Sequence, residues 1–500
     1  MHYNDDRMYI VIVVAFMITL TLRHGPSWGF GVAVLAPACV LYVALAGALA
    51  SFRASRAIRA MQGPPALPGQ RRRRALLPLL LPLYLLGGLA ELHFLGLAQA
   101  VDAWPILRDT PLLAEAVMLT PFVAALAVVW LAEYPAHRLA RQQLAERFAD
   151  EGWQPPVWSR RQFLLFNFRH QFLFLAAPIA LILLAHHLIL ARNLPAIFAA
   201  ADRLAARLNT PPLSEIGREN LAAILAVAIA AVVFTLVPAL LVRIWNTSPL
   251  PPGELRDTLL GTLRALRLRC RPPRIWHSGG VVANAGAMGL IAPLRYVLLS
   301  DSLLARMDRR QIQAVFAHEI GHIQQHHIFY SALFTLAVAV WVSLLAEWTA
   351  SIWPTIDDLA LQVAAVAVMA VVWGFGFGII SRRFERQSDV IAAWASGHDG
   401  GGDDDGQTGD PRRVTPEGAA VFASALRRVA QLNGISPTAS NWRHGTIESR
   451  TTYVMALAVT GGTREPIDRQ VKRIKLAVAA ACLAAAAVGV WTFLHTTLDC

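Results

Sequence analysis

Runs of apolar residues decide what a chain of these 500 residues can fold into. They lie near residues 8 to 22, 28 to 51, 75 to 98, 113 to 133, 163 to 191, 220 to 244, 328 to 353, 359 to 380 and 475 to 495. A helix needs about 20 apolar residues to cross the roughly 30 Å hydrocarbon layer of a bilayer, and every run but the first reaches that length. With 55% hydrophobic and 16% charged residues, the chain is too apolar for an ordinary soluble enzyme. The expected architecture is a mainly α, polytopic membrane protein of about nine spans. The first run lacks a small-residue processing site and is expected to be an anchor.

Basic residues set the expected orientation. Arg53, Arg56, Arg59 and the run Arg71 to Arg74 share one loop, and Arg138, Arg141, Arg147, Arg160 and Arg161 share the loop two spans later. Both should face the cytoplasm. The loop between them carries Asp102, Asp109 and Glu115 against Arg108 alone, and the connection at Asp357 and Asp358 has no basic residue. Counting on places residues 245 to 327 and 381 to 474 in the cytoplasm as well. This loop bias accounts for the net charge of +12, and no patch interleaves basic with aromatic residues, so no nucleic-acid partner is expected. Cys39, Cys270, Cys482 and Cys500 have no paired spacing and imply neither a disulfide framework nor a zinc knuckle.

The chemistry is concentrated in His318-Glu319-Ile320-Gly321-His322. Residues i and i+4 share a helix face about 6 Å apart, so both imidazoles can point at one metal ion. Glu319 sits beside that ion, placed to take a proton from an attacking water and pass it to a leaving amine. Asp308 and Gln311 read as the capping box that starts this helix, and Ile312, Val315, Phe316 and Ile320 fall at helical spacing on the other side. A polar helix surface with incidental histidines is the alternative reading of the motif alone.

A third ligand is expected at Glu385, one helical turn before Asp389. Glu385 would complete a three-ligand site with an open fourth position, and Asp389 would accept the free ring N–H of a ligand histidine. The alternative makes both part of a charge cluster with Arg382, Arg383 and Arg386. His326 and His327 are read as interfacial residues at the end of a membrane helix, since positions i, i+4 and i+8 span about 12 Å and cannot share one ion.

The expected organisation is a transmembrane region over 1–244, a catalytic segment with the motif helix over 245–327 and two membrane helices over 328–380. A second soluble segment over 381–474 carries the third ligand, and a last membrane helix lies in 475–500. Residues 254 to 270 read as a basic amphipathic helix. Residues 275 to 300 read as short strands, with Val281, Val282, Tyr296, Val297 and Leu299 as the β-prone positions. The segment 397–413 is a flexible acidic loop, in which Asp403, Asp404 and Asp405 lack the spacing of a calcium loop. Glu91, His93, Arg169 and His170 are polar within expected spans, which suits an internal chamber, while interface snorkelling suits Arg169 and His170 equally.

These motifs resemble the integral-membrane zinc metallopeptidases of the CAAX prenyl protease and HtpX type, whose catalytic domain is gluzincin-like. Asn284-Ala285 with Gly289, Leu298 to Asp301, Ala317 to His322, Glu385 with Asp389, and His444 with Arg450 carry the likeness, over roughly residues 245 to 455. Gly445 stands where a Pro is usual after the His, and Ser388 where an Ala is usual before the Asp. The resemblance implies a cytosolic gluzincin-like zinc peptidase domain with a small β element. It implies one Zn2+ per chain on His318, His322 and Glu385, catalysis by Glu319, and substrate main chain held by Asn284 on an edge strand. His444 and Arg450 would face the oxyanion or the substrate backbone.

The expected activity is therefore a zinc metalloendopeptidase in a bacterial plasma membrane, acting at the cytoplasmic face. Its expected partners are membrane lipid and a protein or peptide substrate: misfolded or membrane-associated protein, or a C-terminal tail. Two alternatives stand beside it, a sensor-transducer metallopeptidase that cleaves a repressor and a catalytically silent membrane scaffold.

Overall fold

The structure, a computed structural model, describes residues 6–23, 25, 27–63, 77–152, 154–397 and 413–498. Most of the acidic loop, with Asp403 to Asp405, and the run Arg71 to Arg74 lie outside the described residues. Among the described residues, seven helices are long and apolar enough to cross a membrane. The other two expected runs are also helical but shorter in their apolar part, at Met8–Leu22 and Leu79–Phe94. The run expected over 163–191 belongs to a helical stretch of 48 residues, Arg160–Arg207, which contains Pro178 and Pro195 and two π-helical turns at Phe168–Leu173 and His186–Ala191. The run expected over 220–244 stops at Leu236, because Pro238 begins a separate short helix.

The chain packs as two units. The first comprises residues 1–197 and 224–234. Its central pair is Val32–Gln62 against Leu113–Arg147, joined through small residues. Ala46, Ala50 and Ala54 are buried four residues apart, and a Cβ on Gly47 would meet a Val128 methyl at 2.6 Å. Small residues at this spacing let two backbones approach where lipid offers no hydrophobic drive between helices. Of the four polar residues within the expected spans, His93 and His170 are buried whereas Glu91 and Arg169 are exposed.

The second unit comprises residues 198–223 and 235–500 and holds every residue of the motif. Four strands, β1 (Thr247–Pro249), β2 (Arg274–Trp276), β3 (Ala285–Met288) and β4 (Tyr296–Ser300), form a sheet in the order β1-β2-β4-β3. β4 is buried at every position, pairs parallel with β2 and antiparallel with β3, and leaves β3 as an edge. Val281 and Val282 are not strand residues. Gly279 and Gly280 turn the chain at positive φ, and the Val282 N–H is taken by the Ser278 hydroxyl rather than by a neighbouring strand. The amphipathic helix runs over Glu254–Ala265.

The helix that carries Glu385 and Asp389 is 40 residues long, Asp358–Gly397. At about 1.5 Å per residue it measures roughly 60 Å, twice the hydrocarbon thickness. Its two halves differ accordingly. Val363, Val371 and Phe375 are exposed, as lipid-facing residues are, while Phe384 to Asp389 turn mostly inward and Val390 to Ala393 are fully buried. One rigid element thus leads from the apolar stretch directly into the cluster described next.

Candidate metal centre

The motif helix, Arg309–Gln324, starts where the sequence places it. Asp308 accepts the Gln311 N–H, and the Gln311 side chain returns the bond to the Asp308 N–H. Its apolar face, with Ile312, Phe316 and Ile320, is buried. At Gly321 it meets the long helix closely enough that an added Cβ would lie 3.2 Å from Ser388 Oγ and 3.3 Å from Ser388 Cα. Glycine in the motif and a small residue before Asp389 permit this approach. It sets Glu385 and Asp389 opposite the two histidines.

His318 Nε2 and His322 Nε2 stand 3.2 Å apart. One Glu385 oxygen lies 3.4 Å from His318 Nε2 and the other 3.5 Å from His322 Nε2. Four ligands at about 2.0–2.1 Å from a zinc ion in a tetrahedron stand about 3.3–3.4 Å from one another. One ligand atom from each of the three residues lies within 4.8 Å of the other two, a cluster that could hold one ion, and the donor chemistry, two imidazoles and a carboxylate, suits zinc.

Around this cluster the charges are tightly compensated. Arg450 grips Asp389 with both arms, Nε to Oδ2 at 2.9 Å and Nη2 to Oδ1 at 2.6 Å, and Nη2 lies 3.1 Å from Glu385 Oε2. His444 Nδ1 is 2.8 Å from Glu385 Oε1. Asp389 Oδ1 lies 3.1 Å from His318 Nδ1, off the direction of the ring N–H, so this is a charge contact more than an aligned hydrogen bond. Burial opposes a charge on His318, but the carboxylates of Asp389 and Glu385 outweigh it and lift its pKa to about 10. His322 has no such partner at its Nδ1, and burial pulls its pKa down to about 3. Burial likewise pushes the Glu319 carboxyl above the usual carboxylate range, opposed in part by His318. A base held closer to neutrality is better matched to moving a proton at physiological pH.

The backbone of Ala287 in β3 reaches the Glu319 carboxylate, so the open sheet edge runs beside this residue. Asn284 lies just before β3 and outside the charged cluster. Its main chain is tied to Ser300, N–H to Oγ and C=O to N–H, both at 3.0 Å, and Asn433 clamps the preceding Ala283 by two amide bonds. His444 sits in a tight loop in which Asn441 Oδ1 accepts the Arg443 and His444 N–H groups. Gly445 has φ +75°, which proline cannot adopt, so the glycine found at this position follows from the loop's conformation.

One expectation needs correction. His327 is not an interfacial residue: its side chain is buried, its Nδ1 lies 3.0 Å from His322 Nδ1, and its ring stacks on Phe384. His326 at φ +55° breaks the helix between them, which brings a residue five positions on beside His322 where helical spacing would carry it away. His326 itself is exposed. Gln387 and Asp468, which complete this contact, carried no motif that a reading of spacing would find.

Fold and cluster together define a class: a polytopic helical membrane protein that holds a His/His/Glu metal-ligand set with an adjacent glutamate. Residues 250–404 match the model of Peptidase family M48. The chain is similar to a CAAX prenyl protease 1 homolog of Arabidopsis thaliana, 25% identical over 183 residues, 33% of this chain and 42% of that protein. It is also similar to a Protease HtpX homolog of Desulfatibacillum aliphaticivorans, 25% identical over 170 residues, 32% of this chain and 54% of that protein. The matched stretches span about half the length of these relatives. Among solved structures, the crystal structure of S. mikatae Ste24p aligns over 84% of this chain and 98% of that chain, at 15% identity and a TM-score of 0.45. The resemblance read from the motifs and the sequence matches both lead to CAAX prenyl protease and HtpX homologs.

Proposed function

We propose that this chain is a membrane-embedded zinc endopeptidase, with one Zn2+ on His318, His322 and Glu385, that hydrolyses peptide bonds at the cytoplasmic face of a bacterial plasma membrane. The observation that carries the reading is the cluster of His318, His322 and Glu385, whose ligand atoms lie within 4.8 Å of one another, beside the half-buried Glu319 and an open strand edge. A zinc ion held by these three residues would supply Lewis acidity toward the peptide carbonyl and toward water. Glu319 takes the proton of the attacking water and delivers it to the leaving amine. An extended substrate adds to β3 as a further strand, through backbone hydrogen bonds that tolerate many sequences. Asn284, at the head of that strand, holds substrate main chain.

His444, with 34% of its side chain exposed, is placed to stabilise charge on the scissile carbonyl. Arg450, 12% exposed and engaged on both carboxylates, acts by holding Asp389 and Glu385 in place. The arginine-rich loops support the cytoplasmic orientation. Misfolded membrane proteins and C-terminal tails both present the extended backbone that β3 requires.

The test is cleavage of an unfolded protein such as casein by the detergent-purified chain with zinc, beside Glu319→Gln. Cleavage that vanishes in the variant is expected. Equal cleavage by both overturns the assignment of Glu319.

A further inference from the structure

We propose that His327, oriented by Gln387 and Asp468, is a positioning residue that fixes the tautomer and ring angle of His322, so that its Nε2 lone pair faces the metal. The inference rests on the zinc reading and adds three residues to it. Donor and acceptor chemistry determines each link from the outer end inward. The Asp468 carboxylate can only accept, and it lies 2.6 Å from Gln387 Nε2. The same NH2 group also points toward Gln325 Oε1 at 3.4 Å. This fixes the Gln387 amide, so its oxygen is the atom 2.8 Å from His327 Nε2. An amide oxygen only accepts, so His327 carries its proton on Nε2 and leaves Nδ1 bare. His322 Nδ1, 3.0 Å away, must then be the N–H donor. A neutral imidazole protonated on Nδ1 has its lone pair on Nε2, the atom 3.2 Å from His318 Nε2 and 3.5 Å from Glu385 Oε1.

Packing keeps the relay in place. The His327 side chain is 2% exposed, and its ring lies 4.1 Å from that of Phe384 at an interplanar angle of 5°. Phe384 directly precedes Glu385, so one ring is braced against the helix of the third ligand while it bonds the second. The two ligand histidines are thus supported differently: a carboxylate stands behind His318, and a neutral imidazole and amide stand behind His322. A neutral acceptor orients His322 without adding a buried charge to a centre that already holds two carboxylates.

The test is zinc affinity of metal-free protein in detergent, measured in competition with a chromogenic chelator, for wild type, His327→Leu, His327→Asn and Gln387→Leu. Loss of such an outer partner is expected to weaken zinc about 10- to 100-fold in His327→Leu, and less in Gln387→Leu. Asn places its Oδ1 where Nδ1 stood and should stay within about threefold of wild type. Wild-type affinity in a folded His327→Leu protein overturns the relay and leaves the metal centre standing. Equal losses in the leucine and asparagine variants also overturn it, because they ascribe the effect to packing. If His327→Leu does not fold, Gln387→Leu decides: undiminished affinity there overturns the relay. Absence of zinc binding by wild type overturns the metal centre and the inference together.

Discussion

Replacing Arg450 by Met removes a buried cation while keeping most of its length. It strands Asp389, 1% exposed, and Glu385, 7% exposed, in the interior. Breaking a buried ion pair by deleting one partner costs about 3–5 kcal/mol, because the remaining charge loses its compensation. His318 still faces both carboxylates, so the lower end, about 3 kcal/mol, is the expected value. For a domain of this kind that corresponds to a fall in Tm on the order of 10 °C, followed by near-UV circular dichroism of the metal-free protein in detergent. Adding Asp389→Asn removes one stranded charge, so the double variant should lose less than the sum of the singles by about 0.5–3 kcal/mol. Arg450→Lys should recover only part of the loss, since an ammonium cannot hold Asp389 by two parallel bonds. An Arg450→Met protein that unfolds within about 2 °C of wild type, or losses that simply add, would refute the charge argument.

Other outcomes follow from the same geometry. Gly321→Val places a branched side chain against Ser388 and should separate the ligand helices, destabilising the fold by about 1–3 kcal/mol and lowering zinc affinity; a variant that binds zinc like wild type contradicts the close-packing account. Zinc uptake should release one proton, from His318, because His322 is already neutral above about pH 4; log affinity then rises about one unit per pH unit between roughly pH 5 and 9, and a slope of two there would show both histidines charged. In the metal-free protein the raised His318 pKa adds stability that is complete below about 6.5 and is lost as the pH climbs toward about 10, which a Tm series across pH checks; a Tm that rises over that range contradicts it. An epitope inserted in the 397–413 segment should be shielded from protease added outside intact cells, and digestion there would invert the orientation.

Local rules carried the sequence reading as far as they apply. The capping box at Asp308, the i, i+4 pair of His318 and His322, and the shared helix face of Glu385 and Asp389 all depend on helical periodicity, and the structure has a helix at each place. Where periodicity is interrupted, the reading fails. His326 in the left-handed region re-aims His327, and Gly279 with Gly280 removes Val281 and Val282 from the sheet. Two π-helical turns lie within one long helical stretch, and nothing in local composition announces them. Arg450 and His444 were found through a motif, yet that Arg450 is spent on Asp389 and Glu385 depends on contacts 61 and 65 residues apart in the chain, which no spacing rule encodes.

The most direct measurement removes zinc from the purified chain by chelation and returns it in measured equivalents, with casein cleavage and bound metal followed together for wild type and Glu319→Gln. One equivalent should restore cleavage to wild type, and the variant should take up the same equivalent and remain inactive. Cleavage that survives chelation, or persists in the metal-loaded Glu319→Gln protein, would contradict the account.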